Sequence, residues 1–162
     1  MLFRSPKPFR DLSLEGWTAA QQLPQIFEAN GWINLLRADK VGDEFGKQYI
    51  IRGTGDEYQR LREVKSTRAP LVIPVSFPDA YDVEDPFDAA QVSLTDMKHW
   101  EMAPANAAML EKEGIEFAFT SDRLKDRADF IKSVRKAVEH GLSEAAALRA
   151  MTEIPAKLLN VQ

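Results

Sequence analysis

The chain reads as an α/β protein whose short strands lie parallel in one sheet and are covered by helices. Three observations predict this. From Leu23 onward short apolar runs alternate with longer amphipathic ones, the pattern of successive βα units. The run Pro70–Phe77 is apolar without alternation, as a strand buried on both faces must be. Gly114-Ile-Glu-Phe-Ala-Phe-Thr-Ser-Asp122 sets a helix-stopping glycine before a short apolar strand and an aspartate at its end.

No element is assigned to residues 1–22. Gln25–Asn30 is the first strand, and Trp32–Phe45 the helix after it, with Trp32, Ile33, Leu36 and Val41 near one stripe, Gly42 as a weak point and Gly46 as its left-handed stop. Gln48–Arg52 is rich in β-formers and bounded by glycines, so it forms the second strand. A helix over Glu57–Thr67 follows, with Thr54 or Asp56 available as its cap. Pro70–Phe77 is the third strand, although Pro74 donates no ladder hydrogen bond and belongs at an edge or bulge. An acidic, proline-containing connection from Pro78 to about Val92 holds Asp79, Asp82, Glu84, Asp85 and Asp88, with Tyr81 and Phe87 as candidate anchors. Connections of this length inside a compact domain are commonly functional or disordered.

Ser93–Trp100 and Pro104–Glu113 are the next two helices, and Glu116–Ser121 is the fourth strand. Asp126 can cap a helix whose apolar stripe is Phe130, Ile131, Val134, Ala137 and Val138, ended by Gly141. Ser143 begins another helix with Ala147, Leu148 and Met151 inward, and Thr152 caps a last turn led by Pro155.

With 162 residues, 44% hydrophobic and 28% charged, the chain has the means for one core and one domain. A net charge of −4 with dispersed Lys and Arg argues against a nucleic-acid partner. The densest basic stretch, Arg60, Arg62, Lys65 and Arg68, falls at helical spacing with Glu57 and Glu63 and reads as a solvated helix face. The absence of cysteine removes disulfides, thiolate metal sites and cysteine nucleophiles together. Prolines and arginines interrupt Met1–Arg10, which therefore reads as neither a signal peptide nor a membrane span, so a soluble protein is expected.

The motifs together resemble the amidohydrolase superfamily, near its imidazolonepropionase-like and prolidase-like members. Gly114–Asp122 is similar to the closing strand of that family's barrel, His140-Gly-Leu-Ser and Ile154-Pro-Ala-Lys-Leu-Leu159 to its post-barrel helices, and Asp85-Pro-Phe-Asp88 to the aromatic-aspartate loop after its seventh strand. The resemblance runs from about Pro24 to Val161 and implies a partial (β/α)8 TIM-type barrel, strands five to eight with outer helices and C-terminal helices. It also implies a fragment: the early strands, and the β-sandwich segment that follows in the family, fall outside this sequence.

In a barrel of this kind the chemistry sits at the carboxyl ends of the strands. The family holds zinc or another divalent metal and uses water to cleave amide or cyclic amide C–N bonds. Asp122 matches the aspartate that ends the eighth strand, binds metal and accepts a proton from the attacking water. Glu28 stands where the fifth-strand histidine would be, and Gly53 where the sixth-strand imidazole would be. Asn30, Arg52, Asp79, Tyr81, Asp82 and His99 are the remaining candidates for lining the mouth. Plainer readings compete with these: Asp122 as a turn cap, Glu28 as the ion-pair partner of Arg52, His99 as a half-exposed packing residue, and His140 as a charge at a helix end.

A metal-activated hydroxide needs about three protein donors around an open position, and two carboxylates are a poor zinc site. Two function classes follow. One is the carboxyl-terminal half of a metal-dependent hydrolase acting on a small-molecule substrate. The other is a degenerate, non-catalytic barrel that binds no metal. Four strands leave two open edges, so a homo-oligomer or a partner half-barrel is also expected.

Overall fold

The computed structural model describes residues 11–161. Of the segment left without an element, residues 1–10 lie outside the described residues, and Leu12–Ala20 forms helix α1, capped by Asp11, whose carboxylate accepts from Ser13 N at 2.9 Å. No residue of α1 is buried. Among the described residues no helix is long and apolar enough to cross a membrane.

Four strands follow in chain order: β1 (Ile26–Glu28), β2 (Ile50–Arg52), β3 (Leu71–Pro74) and β4 (Phe117–Thr120). They form one sheet in the order β1-β2-β3-β4, every pair parallel. Parallel neighbours need crossovers, and helices supply them. Between the strands run α2 (Trp32–Glu44), a 3-10 turn at Glu57–Arg60 leading into α3 (Leu61–Thr67), and then α4 (Pro86–Gln91), α5 (Leu94–Met102) and α6 (Asn106–Lys112). After β4 come α7 (Phe130–Glu139), α8 (Glu144–Met151) and α9 (Glu153–Leu158).

Alternation along β3 builds the core. Leu71, Ile73 and Val75 point to one face and join Ile51, Phe117, Leu35, Val64, Leu110, Val134 and the alanines of α8 in a single buried cluster. Pro74 causes no defect. Val75 N donates to Thr120 O, so the nitrogen of Pro74 faces the β2 side, where the ladder has already closed with Gly53 N donating to Val72 O.

Several helix faces differ from the periodic reading. In α2 the buried residues are Leu35, Ala38 and Gly42, while Ile33 and Val41 are exposed. At the end of the buried stripe the approach is close: a Cβ on Gly42 would strike the Lys47 carbonyl oxygen, so this turn of the helix packs only because position 42 has no side chain. Gly42 is thus a contact point rather than a weak one. In α7 Ile131 is exposed, and in α8 Ala146, Ala147 and Ala150 are buried while Leu148 is exposed. Thr152 does not cap α9; its hydroxyl donates to Leu148 O, and Pro155 sits at the third position of that helix.

The acidic connection contains α4, capped by Asp85, whose carboxylate accepts from Phe87 N at 2.7 Å. Phe87 is 75% exposed and Tyr81 39%, so neither anchors this segment to the core. Charge density along it and the absence of an apolar stripe explain why the aromatic rings stay in solvent.

Candidate functional site

The carboxyl ends of all four strands lie on one side of the sheet because every pair is parallel. Register then selects which side chains meet there. Glu28 pairs with Arg52 across β1 and β2, and Arg52 with Val72 across β2 and β3. From this position the Arg52 guanidinium reaches in both directions: one terminal nitrogen holds the Glu28 carboxylate, and the other lies 3.1 Å from Asp122 Oδ2, just past the end of β4. Arg123 adds its Nε at 3.6 Å from the same Asp122 oxygen. The Arg52 side chain is 26% exposed, against 37% for Asp122 and 60% for Glu28. The cluster is therefore open to water and screened accordingly.

The turn that delivers Asp122 is built locally. Leu124 N donates to Ser121 O, Asp122 N to the Thr120 hydroxyl at 3.2 Å, and Arg123 takes a left-handed φ of 64°. Ser76, beyond β3, donates to Arg123 O at 2.9 Å and ties the two strand ends together.

Beside this cluster sits a fully buried carboxylate. Glu57 Oε1 accepts from Thr54 N at 3.1 Å and Gly55 N at 3.3 Å, and Oε2 accepts from Asn106 Nδ2 at 2.7 Å. Burial pushes the Glu57 carboxyl above its ordinary range, opposed by these hydrogen bonds. Asn106 uses its other end to accept from Tyr58 N at 2.8 Å, so the pair locks the loop after β2 onto α6. The expectation that Glu57 shares a solvated face with the basic residues at helical spacing fails: Glu57 is 0% exposed, whereas Arg60, Arg62, Lys65 and Arg68 are exposed.

Gly53 explains how Glu57 fits. A Cβ on Gly53 would collide with the Glu57 carboxylate, so the missing side chain is space already filled. Asp56, expected as a cap for its own helix, instead accepts from Trp32 N at 3.2 Å and so serves α2, whose N-cap residue Gly31 has no side chain to offer. Thr54 donates its hydroxyl to Asp56 Oδ1 at 2.9 Å.

The other candidates do not join the Arg52 cluster. Asp79 is paired with Lys125 at 2.6 Å in full solvent, and that hydrogen bond lowers its carboxyl pKa. Asp82 accepts from Glu84 N at 3.2 Å within its own loop. Asn30 and Tyr81 are exposed. His99 is half-buried against Tyr58, with Tyr58 Oη and His99 Nδ1 3.2 Å apart and the rings stacked at 15°. His140 lies at the end of α7 with Nδ1 2.7 Å from Lys136 O. A shallow concavity lined by Glu111, Gly114, Ile115, Arg149, Glu153 and Ile154 sits at the start of β4, away from the strand ends that carry Arg52 and Asp122.

The donor set does not suit a divalent metal. Glu28 and Asp122 are both committed to a guanidinium, Gly53 offers no donor, and among the described residues no three His, Cys, Asp or Glu side chains gather as a metal site would require.

Comparison with known proteins adds the fold. No family model matches the chain, and no curated protein does. Among solved structures, the crystal structure of an amidohydrolase from Thermotoga maritima MSB8 is similar, with a TM-score of 0.66 and 18% sequence identity. The alignment covers 96% of this chain and 38% of that one. At this identity the likeness is one of fold: the chain has an amidohydrolase-like α/β fold corresponding to part of a larger barrel.

Proposed function

We propose that the chain is one portion of an amidohydrolase-like barrel that does not carry out metal-dependent hydrolysis with its own residues. The observation behind this reading is the Arg52 guanidinium standing between the two carboxylates, Glu28 and Asp122, that would have to share a metal. In this assignment β1 to β4 take the places of the fifth to eighth barrel strands. The closing-strand motif Gly114–Asp122 supports that numbering and an imidazolonepropionase-like or prolidase-like ancestry. Metal-dependent cleavage of an amide or cyclic amide C–N bond in a small substrate would then require ligands brought by a complementary half.

The β1 edge favours association. All three residues of β1 are exposed, among them Ile26 at 56% and Phe27 at 40%, while β4 begins with two buried residues, Phe117 and Ala118. A parallel edge that presents apolar side chains and unpaired backbone groups is stabilised by further strands, from a second copy of the chain or from a partner half-barrel. The purified chain is expected to hold less than about a tenth of an equivalent of zinc, since two carboxylates alone bind it weakly. One equivalent of zinc, lost in Asp122→Asn along with hydrolytic turnover, would overturn the reading.

A further inference from the structure

We infer that the Arg52 guanidinium is the resident cation of this mouth, holding Glu28 and Asp122 in the place that the family resemblance gives to a divalent metal. The inference rests on the reading that the chain's own mouth binds no metal, and goes further by naming what stands there instead.

Geometry carries it first. Arg52 lies on an interior strand, with β1 on one side and β3 on the other. Its two terminal nitrogens engage carboxylates from opposite directions, Glu28 from the adjacent strand and Asp122 from beyond β4 at 3.1 Å. A planar fork that stays charged at every accessible pH can bridge two carboxylates as a metal would, while its fixed shape keeps them apart. Charge carries it second. Two carboxylates face two guanidiniums, those of Arg52 and Arg123, so the cluster balances to zero and offers a divalent cation no net attraction.

Position 53 is closed to a further donor as well. A third donor at position 53 would have to displace the Glu57 carboxylate, which is buried and held by Asn106, Thr54 and Gly55. The glycine and the buried glutamate therefore exclude a side chain from the one place where the family resemblance sets another ligand.

The test is titration of the full chain with Mn2+ alone, an ion suited to oxygen donors, followed by the paramagnetic resonance of the free ion in low salt. Wild type is expected to bind none specifically. Arg52→Gln, which removes the charge, is expected to bind one Mn2+ at least about tenfold more tightly than wild type, because the two carboxylates then repel each other unless a cation joins them. Adding Glu28→Gln to that variant is expected to return binding to the wild-type level. Should Arg52→Gln fail to fold by circular dichroism, Arg52→His supplies the same loss of guanidinium with an added donor and the same expected gain. If wild type itself binds one Mn2+ and Asp122→Asn abolishes it, both this inference and the metal-free reading fall. If wild type binds none and the folded Arg52 variants gain nothing, or gain binding that Glu28→Gln leaves intact, only the role given to Arg52 falls.

Discussion

Burial and hydrogen bonding act in opposite directions on Glu57. Burial raises its carboxyl pKa from the ordinary 4.5, and the bond from Asn106 and the amide of Gly55 hold it down. Because the net shift is upward, the folded protein binds a proton at Glu57 more readily than the unfolded chain. Stability from this group is therefore greatest at low pH and falls as pH rises from 4.5 through the folded pKa. Glu57→Gln is expected to flatten that part of the slope in urea unfolding measured between pH 4.5 and 7, and an unchanged slope would refute the assignment. Gly53→Ala forces a methyl into the space of the same carboxylate, and a loss of about 2–3 kcal/mol is expected from overpacking and broken hydrogen bonds. Neither residue was legible as a pair. Glu57 sits among exposed Arg and Glu at helical spacing, which looks like a solvated face. Gly53 reads as a vanished ligand when its small size serves a neighbour's side chain. The signal was there in the glycine, since a glycine at a strand end marks close approach as readily as loss.

Local rules settle the elements where the residues carry them alone. Asp126 and Ser143 cap the turns their positions predict, and Gly46 and Gly141 take the left-handed φ that ends α2 and α7. The four strands fall inside their predicted runs because β-formers bounded by glycine or proline fix them. What periodicity could not supply is how closely each helix approaches the chain that leaves it. Gly42 is the case in point: its hydrogen atom faces the Lys47 carbonyl, a backbone atom that cannot move aside. Gly42→Ala gains about 1 kcal/mol in helix propensity, yet a net loss of about 1–2 kcal/mol in chemical denaturation is expected from the clash. The cap of α2 was equally out of reach, because Asp56 is 24 positions away from Trp32. Asp56→Ala should cost about 1 kcal/mol, and an unchanged denaturation midpoint would mean the α2 amides find another partner.

For the molecule as a whole, parallel order and shared register turn four separate strand ends into one mouth. That convergence of Glu28, Arg52 and Asp122 was legible as position, since each lies at or near the end of a predicted strand, and the pairing of Glu28 with Arg52 was legible as the plainer reading of Glu28; the second reach of Arg52, to Asp122, was not. A carboxylate at a strand end reads equally as a ligand, a cap or half of an ion pair, and only the reach of Arg52 across the sheet decides. Asp79, Asp82 and Tyr81 were placed near the mouth by loop connectivity alone, and their segment stays in solvent because it has no apolar face to dock. The open β1 edge, with Ile26 and Phe27 exposed, leads to one expectation in solution. Static light scattering should give a mass above that of the 18.3 kDa monomer if copies close the sheet, and a monomer at all concentrations would leave a partner half-barrel as the remaining means of covering it.

A double-mutant cycle between Arg52 and Asp122 tests the convergence itself. Their partial exposure means the pair is screened, so Arg52→Ala and Asp122→Ala should show a coupling of about 0.5–1 kcal/mol in urea unfolding, shrinking in 1 M salt. Additive losses with no dependence on salt would mean that the ends of β2 and β4 do not meet, and the shared mouth would be lost with them.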